Sequence, residues 1–176
     1  MTYLEMPFIA FRSFMEAGGQ VLWAILLVTI WLWTLIIERS YFFRFVCRDH
    51  TEKHIREWAA REDHTSWCAR KIRELMISET TVEARRYLKT IQVLLMLLPL
   101  LGLLGTVVGM IQVFNIMAVA GTSNARLMSA GVSAATIPTM SGLVASLSGL
   151  FFSARLQNRA NNEIKHVTDL LVPDVD

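Results

Sequence analysis

The sequence predicts an all-α integral membrane protein with three transmembrane helices and long helical extensions outside the membrane. Three apolar blocks, residues 18–37, 91–120 and 131–153, approach or exceed the roughly 20 residues that cross a bilayer. None of these blocks contains Asp, Glu, Lys, Arg or His. Hydrophobic residues make up 53% of the 176-residue chain, which exceeds the roughly 45–50% usual for soluble domains.

The first block has an alternative interpretation as the core of a secretory signal peptide, which has a basic start and an apolar core of about 7–15 residues. Here Arg12 is the only base before a longer apolar run, and Glu38 and Arg39 follow that run directly. We therefore expect a retained membrane anchor. Residues 1–17 predict a short amphipathic helix at the outer membrane surface, with apolar side chains at Phe8, Phe11, Phe14 and Met15.

The distribution of basic residues predicts the orientation of the chain in the membrane. Segments 38–90 and 154–176 carry 15 of the 17 Lys and Arg residues, and only Arg12 and Arg126 lie on the other side. By the positive-inside rule these two segments face the cytoplasm, while residues 1–17 and the loop 121–130 face outward. The net charge of +2 thus reflects topology and does not indicate nucleic-acid binding.

The segment 38–90 is dense in charge and is predicted to be helical, with a break near residues 61–66 and either Thr65 or Ser66 as the next helix cap. Two apolar stripes at helical spacing predict packing on other helices or on a neighbouring subunit. These stripes comprise Ile55, Trp58 and Ala59, and then Ile72, Leu75 and Met76. The final helix is expected to continue to Leu170 or Leu171 and to end before Pro173.

The sequence contains no arrangement that predicts enzymatic chemistry, a metal site or a cofactor. Cys47 and Cys68 fall in the predicted cytoplasmic segment, where reduced thiols are expected. A metal site formed with His50, His54 or His64 lacks the ligand spacing of zinc motifs. No nucleophile and base are paired near a predicted span, so we expect a protein that is not an enzyme.

The second block contains the segment PLLGLLGTVVGM, residues 99–110, which predicts a tightly packed helix. Glycines allow close approach of another helix in a membrane, and Pro99 removes one helical hydrogen bond and is expected to kink the helix. Thr106 is a lone hydroxyl that needs a partner or a polar cavity. We expect helix packing at Pro99 and at five glycines of the second and third spans, namely Gly102, Gly105, Gly109, Gly142 and Gly149.

The third block is rich in hydroxyl residues, which a helix facing only lipid does not need. Thr136, Thr139 and Ser146 share one helical face with Leu143, and we expect this face to lie opposite Thr106. The four hydroxyl residues together predict a polar lining. The alternative is that each hydroxyl bonds the carbonyl of its own preceding helical turn.

These motifs resemble those of the ExbB/TolQ/MotA family of ion-driven motor proteins, and the ExbB branch most closely. The resemblance rests on Pro99–Met110 and on Thr139–Ala145, read as TMSGLVA, and the order of spans agrees along the whole chain. The runs Asn124–Met128 and Ala135–Met140 are similar to the ExbB subtype of the second TonB system.

The resemblance implies a homopentameric helical barrel in a bacterial inner membrane, surrounding a dimer of an ExbD-like protein. It also implies that proton flow drives a TonB-like partner for iron-siderophore uptake across the outer membrane, and that Thr106 and Thr139 line the pore. Family members carry a glutamate five residues before the second threonine, where this chain has Ala134. The titrating group is therefore expected in the partner.

Two alternative functions follow from the same residues. The chain could be a TolQ-like or MotA-like motor subunit with a different output, although its cytoplasmic segment is short for a flagellar stator. It could also be a membrane scaffold that assembles its partner without conducting protons. Proton flux in vesicles that contain both partners would distinguish a conducting complex from a scaffold.

Overall fold

The computed structural model describes residues 6–46, 56, 58–60, 66–120 and 125–171, with side chains described from residue 19 except at 46, 120 and 125–127. Residues 56, 58 and 59 are helical, and four longer α-helices also lie in the described part of the chain. They are α1 (Met6–Tyr41), α2 (Trp67–Arg85), α3 (Leu88–Ala120) and α4 (Ala125–Leu170), and a single π-helical turn, Phe42–Val46, follows α1. Three of the helical stretches in the described residues are long and apolar enough to cross a membrane.

Helix α1 is interrupted at Gly19, which has φ 63° and ψ −161°. This backbone conformation is essentially restricted to glycine, because a side chain would clash with its own backbone. A Cβ added at Gly19 meets no other atom within 4 Å, so the backbone, not the available space, requires glycine here. The break lies next to the boundary between the predicted surface helix, residues 1–17, and the first predicted span.

The described residues divide into two compact units. The first unit comprises Met1–Trp33 and Val93–Leu150, and it contains most of the apolar length of α1, α3 and α4. Its interior is formed by small residues and by branched aliphatic side chains, most of them leucines, whereas many large apolar side chains are exposed on its surface. Exposed examples from the three helices are Trp31, Leu100, Val107, Val144 and Leu147. This distribution is typical of a bundle that lies in lipid.

The second unit comprises Thr34–Gln92 and Phe151–Asp176, and it has a small apolar core of its own. That core consists of Trp58, Ala69, Met76, Val167 and Leu171. Ile72 packs against it, as its predicted stripe requires. Leu75 is 57% exposed and Ala59 is also exposed, so these two positions do not pack on other helices within the described chain, and packing on a neighbouring subunit stays a prediction for them.

Arg73 joins α2 to the C-terminal end of α4 in the second unit. Its guanidinium donates hydrogen bonds to the carbonyls of Thr168 and Leu171. The last carbonyls of a helix lack intrahelical donors and carry partial negative charge, so a cation bound there stabilises the helix end.

The connection between α2 and α3 differs from the continuous helix predicted up to residue 90. Tyr87 has φ 60°, which is unusual for an aromatic residue. The Arg39 guanidinium carbon lies 4.9 Å from the centre of the Phe42 ring and 5.0 Å from that of Tyr87. Its Nη1 also donates to the Glu83 carbonyl at 3.3 Å, and the side chain is only 3% exposed. These contacts hold the tight turn, which no glycine or proline marks in the sequence.

The start of α2 and the end of α4 were predicted from the sequence, and the structure confirms both. Ser66 is the N-cap of α2, and its hydroxyl accepts a hydrogen bond from the Ala69 N–H at 3.1 Å. Helix α4 ends at Leu170, and Leu171 closes the last turn. Cys68 is exposed with a free thiol. Other predicted features lie outside the described residues or side chains: the apolar face of residues 8–15, Ile55, Thr65, Cys47, the three histidines at 50, 54 and 64, the turn at 121–124 and Pro173.

Replacing Ser66 with Ala should lower the free energy of unfolding of the second unit by about 1 kcal/mol, because one N–H at the start of α2 loses its acceptor. Ser66→Asn should retain most of the stability, since asparagine caps helices well. Thermal melts followed by circular dichroism in detergent would measure both variants. Equal melting temperatures for Ser66→Ala and the unmodified protein would contradict this role of the cap.

Candidate functional site

The residues singled out by the sequence come together along an antiparallel seam between α3 and α4. A Cβ added to Gly102 would lie 2.9 Å from the Cα of Thr139, and one added to Gly109 would lie 2.7 Å from the Cβ of Ala135. A Cβ on Gly105 would overlap the Pro138 ring, with its nearest atom at 2.4 Å. The two helices therefore approach at a distance that only glycine permits at these positions.

Glycines of α4 complete the seam from the other side. A Cβ on Gly142 would lie 2.6 Å from the carbonyl oxygen of Leu98, which is backbone and cannot move aside. A Cβ on Gly149 would meet side-chain atoms of Leu95 and of Leu32 from α1. Gly131, which the sequence analysis did not single out, faces Val113 in the same way. Small residues thus set the contact between α3 and α4 over the length of the first unit.

Pro99 and Ser146 form one structural pair across this seam. Pro99 has no N–H, so the carbonyl of Leu95 loses the donor that an α-helix would supply to it. The Ser146 hydroxyl donates to that Leu95 carbonyl at 2.9 Å. In lipid an unpaired carbonyl costs several kcal/mol, so the hydroxyl of α4 compensates for the proline of α3.

Thr139 makes a second hydrogen bond between the two helices. Its hydroxyl donates to the Gly102 carbonyl at 2.9 Å, at the place where Gly102 brings the α3 backbone close to α4. Glycine and threonine therefore act together here. The side chain is partly buried by this contact, and its hydroxyl proton is already used in the bond.

Thr106 and Thr136 behave differently from Thr139 and Ser146. The half-buried Thr106 donates to the Leu103 carbonyl at 2.7 Å, and the exposed Thr136 donates to the Ser133 carbonyl at 2.8 Å. Both bonds remain within one turn of the same helix, as the alternative interpretation of the hydroxyls proposed. Each oxygen can still accept a hydrogen bond from water or from another chain.

Ala134 lines a cavity of about 210 Å³ in the first unit. The amides of Gln20 and Gln112 lie on its wall together with small residues of α3 and α4. Pro138 also lines it and removes the helical donor for the Ala134 carbonyl, as Pro99 does for Leu95. The predicted site did not include Gln20, Gln112 or Pro138. The sequence does contain a signal for each of them, because the two amides lie within apolar blocks and Pro138 is a second proline inside a predicted span.

The polar side-chain groups available in the three spans are hydroxyls, amides and the indole N–H groups of tryptophans, together with backbone carbonyls. These groups can solvate or pass on a proton, but they cannot hold a charge at neutral pH as a carboxylate does. No group of three or more His, Cys, Asp or Glu side chains that could hold a metal ion occurs among the described residues.

Comparison with known families agrees with this architecture. The sequence model described as the MotA/TolQ/ExbB proton channel family matches residues 44–169, which include α2, α3 and nearly all of α4. No individual curated protein matches the chain significantly.

Replacing Gly142 with Ala should destabilise the first unit by about 1–3 kcal/mol, because the new methyl group would overlap the Leu98 carbonyl and force the helices apart. Val144→Ala is the control, since Val144 is 68% exposed on the same helix. Thermal stability in detergent would compare the two variants. A Gly142→Ala protein as stable as the Val144→Ala protein would rule out backbone contact at this point of the seam.

Ser146→Ala should lower stability by about 1–3 kcal/mol, because the Leu95 carbonyl would lose its donor. The loss should shrink when Pro99 is also replaced by Ala, since residue 99 then supplies a helical N–H to that carbonyl. A double-mutant cycle of Ser146→Ala and Pro99→Ala measures the coupling. Strictly additive effects would show that the proline and the serine do not act as a pair.

Proposed function

The chain belongs to the MotA/TolQ/ExbB proton channel family, and we propose that it is the stator subunit of a TonB-type energy-transduction complex. In this proposal it forms a homopentamer in a bacterial inner membrane around two copies of an ExbD-like partner. Proton flow through the assembly then drives a TonB-like protein for iron-siderophore uptake. The single observation that carries the proposal is the family match across both motif-bearing helices, α3 and α4.

The proposed orientation places the N-terminus outside and the C-terminus in the cytoplasm. It is supported by the 15 of 17 bases in segments 38–90 and 154–176. The second unit, with its own apolar core, is then the cytoplasmic part of the protein. The exposed apolar side chains of the first unit would contact lipid and neighbouring subunits.

The proposal assigns the titrating carboxylate to the partner. Residue 134 is Ala, and the blocks 18–37, 91–120 and 131–153 contain no ionisable Asp, Glu, Lys, Arg or His residue. A proton pathway across a membrane needs a group that binds and releases protons. Ionisable groups are rare in membrane spans because burying them is costly, so one that is present usually has a function. This chain would supply the walls and the hydroxyls, and the partner helix would supply the acid.

Among the predicted lining residues, Thr106 and Thr136 are the best placed to serve the pathway. Their hydroxyls bond only within their own helical turn, so the accepting side of each oxygen is available to water or to the partner. Thr139 and Ser146 also hold α3 to α4. In this proposal both residues line the proton passage, and their hydrogen bonds also stabilise the helix pair that forms its wall.

Proton flux into vesicles that contain this chain and its ExbD-like partner, driven by an imposed pH gradient, tests the proposal. Thr106→Val should reduce the flux roughly tenfold, as expected if one hydrogen bond of about 1.4 kcal/mol to the moving proton is lost. Vesicles with this chain alone should show no flux, because the acid is absent.

Thr29→Val is the matched control, since Thr29 likewise bonds its own helix, at the Ile25 carbonyl, but lies on α1. The control should conduct as the unmodified protein does. No flux with both chains present would favour the non-conducting scaffold, and full flux in Thr106→Val would remove Thr106 from the pathway. Robust flux without the partner would overturn the assignment of the acid.

A further inference from the structure

A cavity of about 460 Å³ lies in the second unit and combines two basic side chains with three amides. Its lining residues are Arg85, Leu88, Lys89, Gln92, Gln157 and Asn161. The volume falls within the roughly 300–1,000 Å³ of sites that bind small molecules. The polar lining residues all carry N–H donors, and none is acidic, which is the composition of an anion site.

The secondary structure directs these side chains into one space. Lys89 and Gln92 are three residues apart on α3, and Gln157 and Asn161 are four apart on α4, so each pair lies on a single helical face. Arg85 is the last residue of α2 and reaches the same cavity. Leu88 is 6% exposed and forms an apolar wall.

The two cations in the cavity are available for a ligand. Within the described part of the chain, neither Arg85 nor Lys89 forms a hydrogen bond or an ion pair with another residue, and both are exposed. Gln157 is held in place because its Nε2 donates to the Ser153 hydroxyl at 3.2 Å, and Ser153 is 1% exposed. The site thus has a fixed amide beside two unpaired positive charges.

The position along the helices identifies the source of the anion. The apolar run of α3 begins at Ile91, two residues after Lys89, and the apolar run of α4 ends at Phe152, five residues before Gln157. The cavity therefore lies at the level where the hydrocarbon core of the membrane meets the lipid headgroups. It is on the side of the membrane that holds most of the basic residues of the chain. Basic pockets at this depth bind the phosphates of anionic lipids.

A second cavity in the same unit offers a contrast. It has a volume of about 420 Å³ and is lined by Phe43, Arg44, Arg159, Asn162 and Glu163. The carboxylate of Glu163 would repel a phosphate there. The cavity of Arg85 and Lys89 is thus the better anion site of the two.

We propose that the cavity formed by Arg85, Lys89, Gln92, Gln157 and Asn161 binds the phosphate headgroup of an anionic phospholipid of the surrounding leaflet. The two bases neutralise the phosphate charge, and the amides donate to its oxygens and to headgroup hydroxyls. Leu88 contacts the apolar start of the lipid. This lipid would link the end of α2 to α3 and α4, and its binding does not require proton transport.

Native mass spectrometry of the full chain in detergent, titrated with phosphatidylglycerol, tests the proposal. The unmodified protein should retain this lipid in preference to zwitterionic phosphatidylethanolamine. Arg85→Gln should weaken retention roughly fivefold, and the double variant Arg85→Gln/Lys89→Gln roughly twenty-fivefold, if each base contributes as a juxtamembrane cation does. Both residues are exposed, so the fold should persist; circular dichroism would verify it.

The matched control is Arg155→Gln, which removes an exposed arginine on α4 that does not line the cavity. It should bind phosphatidylglycerol as the unmodified protein does. An equal loss in Arg155→Gln would show a diffuse charge effect and overturn the site, as would unchanged binding in the double variant. Displacement of the lipid by equimolar inorganic phosphate would overturn the lipid source in favour of a free anion.

Discussion

Contact between the backbones of α3 and α4 is the constraint on which the first unit depends. At Gly102, Gly105, Gly109 and Gly142 a single added methyl group would lie within 3 Å of the facing helix. Water does not drive helices together inside a bilayer, so close packing and hydrogen bonds across the contact must hold them. The glycines permit the approach, and the approach brings hydroxyls of α4 within reach of carbonyls of α3.

The hydroxyls of the spans consequently have two kinds of role. Ser146 and Thr139 donate across the seam, and Ser146 supplies the donor that Pro99 withholds from Leu95. Thr106 and Thr136 bond within their own turns and keep their accepting sides available. The hydroxyl residues of the spans look alike in the sequence but therefore differ in role. Some hold the two helices together, and the others are available to a proton pathway.

Ala134 links the architecture to the proposed division of labour between subunits. At the position where the resemblance implies a glutamate, this chain has a methyl group on the wall of a cavity of about 210 Å³ that also presents Gln20 and Gln112. Most of the lining is apolar, and the two amides add polar groups without charge. Such a lining can solvate a proton carried by another chain, which is the arrangement that the proposed complex requires.

The sequence by itself determined the three spans, the glycine-rich packing, a helix cap at Thr65 or Ser66 and the end of α4, because these depend on local composition, spacing and hydrogen bonding. Only the tertiary structure decided which hydroxyls cross the seam, that Leu75 is exposed, and that Tyr87 turns the chain while Arg39 packs on its ring. The hydrogen-bond partners of Ser146 and Arg39 lie 51 and 44 residues away along the chain. Helical periodicity predicts which residues share one face of a helix, but it does not predict which other helix contacts that face. Contacts between residues so far apart in the sequence are therefore determined only when the helices pack together.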